Sequence, residues 1–131
     1  MQTPLELGAD ISLLSLTKYS NGHSDALGGV VCCNDESWGD KMVFSQKALG
    51  LQPSPFDCWL IQRGLKTQAI RVERHAQNAK TIAEYLEERF SEAKILYPFL
   101  ESHPQYEIAK KQMRLGSGII RVDWGLDLET T

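Results

Sequence analysis

An apolar stripe at helical spacing constrains this chain more than any other feature. Val72, Ala76, Ala79, Ala83, Leu86 and Phe90 step by three or four residues, while Arg71, Arg74, Lys80, Glu84, Glu87 and Glu88 fall mostly elsewhere on the wheel. The spacing predicts one long amphipathic helix from about Gln68 to Arg89. Its own propensity does not stabilise such a helix, so the stripe has to pack on other elements.

Short β-branched and apolar runs supply them. Ile11 to Ser15 (ISLLS) is suited to a strand buried on both faces and reads as a parallel-sheet strand. A stretch rich in Asn, Gly and Ser, Tyr19 to Asp25, separates it from a second run, Gly28 to Cys33. Asp35 to Leu49 then reads as a helix ended by Gly50. Pro53 and Pro55 introduce a short helix over Phe56 to Arg63, with Gly64 expected as its stop. Beyond the long helix, Lys94 to Tyr97 reads as a strand halted by Pro98, Gln105 to Lys111 as a short helix, and Ile119 to Trp124 as a strand. The fold class is α/β.

Composition removes several function classes. No apolar run approaches the roughly 18 residues of a membrane span. A net charge of -3 with acidic and basic residues interleaved leaves no footprint for nucleic acid or an anionic membrane. The start, MQTPLELGAD, lacks the basic and apolar regions of a secretory signal, so the cytoplasm is the expected compartment. Cys32, Cys33 and Cys58 form neither an even disulfide framework nor a CxxC zinc pattern, so no metal site is expected and reduced thiols are.

Chemistry concentrates in Ser15-Leu16-Thr17-Lys18-Tyr19-Ser20-Asn21-Gly22-His23-Ser24-Asp25. A lysine just past the end of a buried strand is partly desolvated, which favours the neutral amine that attacks an aldehyde. Lys18 is therefore a candidate Schiff-base lysine. Ser15 and Thr17 alternate around it, so in an extended segment their hydroxyls share one side and could donate to phosphate oxygens. Taken alone, the commoner reading of such a run is a turn with a solvated lysine.

The span LELGADISLLSLTKYSNGHSDALGG resembles the cofactor-lysine segment of the transsulfuration family of pyridoxal-phosphate enzymes, with its S-x-T-K-Y-x-x-G-H-S-D run. This is the family of the cystathionine γ-lyases, cystathionine γ-synthases and methionine γ-lyases. Leu51 to Thr67 is similar to the family's P-x-D-x-x-L-x-x-R-G-L-K-T segment, and ERHAQNAKTIAEYLE and YPFLESHPQYEIAKKQM continue the match in order.

The resemblance implies part of a fold-type I enzyme. Residues 1–66 would be the C-terminal part of the large cofactor domain, 67–90 a connecting helix and 91–131 the beginning of the small C-terminal domain. It implies pyridoxal 5′-phosphate held by Lys18, with Ser15 and Thr17 on its phosphate, and a small sulfur amino-acid substrate in a homotetramer. Pro-Phe-Asp-Cys at Pro55 to Cys58 points to the γ-lyase branch, which cleaves cystathionine to cysteine, 2-oxobutyrate and ammonia. The γ-synthase and methionine γ-lyase branches share the segment. His23, Ser24 and Asp25 are expected to shape the loop by hydrogen bonding rather than to form a triad. Arg63, Lys66, His75 and His103 are expected to be structural. Phe99 stands where the family usually has Gly, which raises the question of that turn's backbone.

The family's ring-stacking tyrosine, pyridine-pairing aspartate and substrate-gripping arginine have no counterpart here. The chain also opens almost at once on a strand and closes just after another, as expected of a partial chain. Alone it is expected to be inactive, or to act only by associating with other subunits.

Overall fold

Residues 2–126 are described by a computed structural model, in which the described residues divide into two units: Thr3–Ile70, and Gln2 with residues 71–126. In the Thr3–Ile70 unit, β1 (Ile11–Ser15) pairs with β2 (Gly29–Cys33), from Ile11 opposite Cys33 to Ser15 opposite Gly29. The pairing is antiparallel, which corrects the parallel reading of β1. An apolar run on both faces fits either ladder, and here the intervening turn returns the chain so that the next strand is the partner. Leu13 and Val31 lie on one face of this ribbon, Leu14 and Val30 on the other. The burial expected on both faces is not supplied within the unit, where Leu13 is 77% exposed.

Two helices follow with sequence-coded ends. Helix α1 (Glu36–Leu49) starts at Asp35, whose carboxylate accepts from the Ser37 and Trp38 amides at 2.7 and 3.4 Å. It ends at Gly50, whose φ of 67° is the left-handed closing conformation that glycine adopts without strain. Helix α2 (Pro55–Leu65) is capped by Ser54, which accepts from the Asp57 amide at 3.1 Å and donates to the Asp57 carboxylate at 2.9 Å. Pro55 at the first position needs no amide partner. Gly64, expected to stop α2, is instead buried inside it.

Helix α3 (Gln68–Arg89) has the bounds that its stripe predicts. In the second unit its buried Ala79 and Ala83 pack with Ile95 of β3 (Lys94–Leu96), which pairs antiparallel with β4 (Arg121–Asp123). Small side chains let the helix come close, and Ala79, Ala83, Ile95, Tyr97 and Leu100 form the core with Leu86, Phe99, Ile120 and Val122 against it. Both strands are shorter than the apolar runs suggest. Tyr97 follows β3 with its ring on the same inward side as Ile95, and its hydroxyl donates to the Ala76 carbonyl at 3.2 Å. Helix α4 (Tyr106–Gln112) completes the unit. Leu100 N–H bonds the Tyr97 carbonyl at 3.0 Å across the turn that holds Phe99. Among the described residues Ser24 alone has a positive φ without being glycine, so this turn does not demand a glycine at 99. Phe99 packs on the core instead.

Candidate functional site

The chain leaves the extended conformation directly after Ser15. Leu16–Ser20 forms a single π-turn, with the Asn21 amide on the Leu16 carbonyl at 2.9 Å and the Gly22 amide on the Lys18 carbonyl at 2.7 Å. Lys18 (φ -91°, ψ -122°) is the non-helical residue at the break within it. Its side chain is exposed, so the desolvation expected from a buried strand end is not provided by the described residues.

The turn also overrides the alternation expected of Ser15 and Thr17. Ser15 stays exposed at the end of β1, whereas Thr17 is half-buried and faces the backbone of Gly28. Its hydroxyl accepts from the Gly28 amide at 3.0 Å and donates to the Gly28 carbonyl at the longer distance of 3.3 Å. That same carbonyl accepts from the amides of Leu16 and Thr17 at 2.9 and 3.3 Å. One residue, Gly28, thereby fixes the start of the lysine turn.

The loop beyond the turn is bound to itself, as the sequence suggests. Asn21 Nδ2 donates to Asp25 Oδ1 at 2.7 Å. His23 Nδ1 lies 2.7 Å from the Asn21 carbonyl, which can only accept, so Nδ1 carries the proton. Between them Ser24 takes a φ of 56°, tolerated in a short polar loop. Ser20 and Asn21 are buried beneath the turn, and Gln68 Nε2 reaches Ser20 Oγ at 3.4 Å. His23 and Asp25 thus hold the loop's shape by hydrogen bonding, and Ser24 contributes its left-handed backbone.

A sequence model for Cys/Met metabolism PLP-dependent enzymes matches residues 1–130. The chain belongs to this family. It is 48% identical to a cystathionine β-lyase of Coxiella burnetii, covering 100% of this chain and 34% of that one. It is 50% identical to the cystathionine γ-lyase of Bos taurus over 85% of this chain and 27% of the relative. Among solved structures, the cystathionine γ-lyase of Lactobacillus plantarum complexed with L-serine superimposes with a TM-score of 0.89 at 39% identity, over 98% of this chain and 34% of that one. The chain therefore spans about a third of the length of the relatives it matches. Its fold is that of a fold-type I enzyme, and its family depends on pyridoxal 5′-phosphate.

The residues present fit that cofactor. It carries an aldehyde, for which Lys18 offers an accessible amine, and a phosphate, for which Ser15 offers an exposed hydroxyl. Thr17 can redirect its single proton from the long Gly28 bond to a phosphate oxygen while still accepting from the Gly28 amide. Gly28 and Gly64 shape this site without standing out as parts of it in the sequence: Gly28 holds the Thr17 hydroxyl, and a Cβ on Gly64 would meet the Asn21 backbone. The available signal was the pair Gly28-Gly29 and a glycine inside a helical pattern at Gly64, both of which mark close backbone approach. Arg63 lies over the Trp59 ring at 5.8 Å, and His103 Nδ1 accepts from the Gln105 amide at 3.1 Å, consistent with structural roles for both. The three cysteines are free, with Cys33 Sγ donating to the Asp35 carbonyl at 3.4 Å. Among the described residues no helix is long and apolar enough to cross a membrane.

Proposed function

We propose that this chain carries the cofactor lysine of a pyridoxal-phosphate-dependent carbon-sulfur lyase of the cystathionine γ-lyase type. The reaction consumes cystathionine and water and yields cysteine, 2-oxobutyrate and ammonia. The observation that supports it most is the exposed Lys18 amine on a turn whose preceding threonine is fixed to the Gly28 backbone, in a chain of this family. Lys18 Nζ would hold the cofactor through its aldehyde, and as a free amine would carry protons at the substrate Cα and Cβ. Ser15 and Thr17 donate to the phosphate, with the Gly28 amide orienting the Thr17 hydroxyl. When bound, the cofactor supplies the electron sink that stabilises negative charge at the substrate carbon.

The assignment extends to organisation. Residues 1–66 belong to the large cofactor domain, 67–90 connect it, and 91–131 begin the small domain of a cytoplasmic homotetramer. The γ-lyase choice rests on the Pro-Phe-Asp-Cys run at Pro55 to Cys58. The test is product analysis of the protein as its gene encodes it, given pyridoxal 5′-phosphate and cystathionine. Cysteine and 2-oxobutyrate in equal amounts support the proposal. Homocysteine with pyruvate would move it to β-lyase chemistry, and no cofactor-dependent product would refute it.

A further inference from the structure

We propose that one face of α2, formed by Ile61 and Gly64, is the positioning surface that sets the Lys18 turn. This rests on the reading of Lys18 as the cofactor lysine. The two residues are three apart and both buried, so they share a side of the helix. Each meets one of the two residues that close the turn. A Cβ built on Gly28, which fixes the turn's start, would stand 2.8 Å from Ile61 Cδ1. A Cβ built on Gly64 would run into the Asn21 carbonyl oxygen and lie 2.9 Å from its carbonyl carbon. Asn21 closes the other end through its 2.9 Å bond to the Leu16 carbonyl.

The two contacts differ in what can yield. Ile61 Cδ1 is the tip of a side chain. Asn21 contributes backbone, 1% exposed, and its side chain is tied to Asp25 at 2.7 Å. An added methyl at Gly64 therefore displaces Asn21 or α2 itself, and the displacement enters a turn that has Lys18 at its middle. Glycine inside a helix costs about 1 kcal/mol relative to alanine, so a close approach is the reason to keep one there. Gly39 in α1 provides the contrast: its nearest neighbour for a Cβ is Cys33 Sγ at an ordinary 3.9 Å.

The experiment uses the protein as its gene encodes it, with pyridoxal 5′-phosphate as the probe. Two readouts are taken: the visible circular dichroism that the cofactor acquires when held in one orientation, and the share of borohydride-trapped label found on Lys18. Gly64→Ala, which overpacks against fixed backbone, is expected to lower the Lys18 share on the order of tenfold, and Gly28→Ala, which meets the tip of a side chain, to lower it by a smaller factor. Both should weaken the visible signal while far-ultraviolet helicity is kept. Gly39→Ala should change neither readout. Gly28→Ala combined with Ile61→Val, which removes the obstructing Cδ1, should recover both. This rescue remains informative if Gly64→Ala does not fold. Wild-type labelling at Lys18 that persists in folded Gly64→Ala, or a Gly28→Ala defect that Ile61→Val leaves unrepaired, would overturn the positioning role alone. Label on another lysine in the wild-type chain would overturn the cofactor reading and this proposal with it.

Discussion

Replacing Thr17 with valine, a near isostere, separates two jobs that the structure gives to one hydroxyl. In the absence of cofactor, valine leaves the half-buried Gly28 amide without the acceptor it has at 3.0 Å. The cost should be about 1 kcal/mol, because partial exposure lets water compensate for some of the loss. Ser15 is exposed, so Ser15→Ala should change stability by less than about 0.5 kcal/mol. With cofactor, each variant loses one hydrogen bond to a charged phosphate, worth roughly 1.5 to 3 kcal/mol, or about 10- to 150-fold in affinity. Urea unfolding of the cofactor-free chain followed by circular dichroism gives the first quantity, and titration with pyridoxal 5′-phosphate gives the second. Thr17→Val should move both, Ser15→Ala only the affinity. Unchanged affinity in the Ser15→Ala, Thr17→Val double variant would refute the phosphate role. An unchanged unfolding midpoint in Thr17→Val would refute the importance of the Gly28 bond.

Further outcomes follow from the rest of the chain. Tyr97→Phe should cost about 0.5 to 1.5 kcal/mol through the lost bond to the Ala76 carbonyl. Gly116→Ala, whose methyl would meet the Tyr97 hydroxyl and ring, should cost about 1 to 3 kcal/mol. Equilibrium unfolding checks both, and a neutral Gly116→Ala would argue against the placement of the Tyr97 ring. The Asp35 carboxyl is held below its ordinary 3.8 chiefly by the Ser37 hydroxyl, then by the Ser37 and Trp38 amides. Its contribution to α1 is thus complete above pH 3.8 and lost as the pH falls through the lower folded value. Asp35→Asn should remove that part of the acid sensitivity in a pH series of unfolding curves, and an unchanged slope would contradict it. Turnover by the 131-residue chain alone should be negligible, so steady release of 2-oxobutyrate from it would count against the assignment of missing groups to residues outside it.

What could be read from the sequence was what local chemistry decides. The stripe from Val72 to Phe90 gives α3 its bounds, and Gly50 marks the end of α1, because periodicity and C-capping act within a few residues. Gly64 was read as a stop because a glycine in a helical pattern signals either an end or a close approach. Only Asn21, far away in sequence, decides between them. The direction of β1 has the same origin, since apolar residues on both faces do not say which neighbour pairs with them. The candidate site divides similarly. Lys18 is where the motif puts it, but the π-turn rotates Thr17 away from Ser15 and onto Gly28, and no alternation rule anticipates a five-residue turn.

The claim that organises all of this is that Lys18 holds the cofactor, and borohydride trapping followed by peptide mapping tests it most directly. The chain is loaded with pyridoxal 5′-phosphate, reduced and digested, and the modified peptide is sequenced by mass spectrometry. The expected result is a single phosphopyridoxyl group on the peptide that contains Lys18. Modification of Lys66 or Lys80 with Lys18 untouched would contradict it.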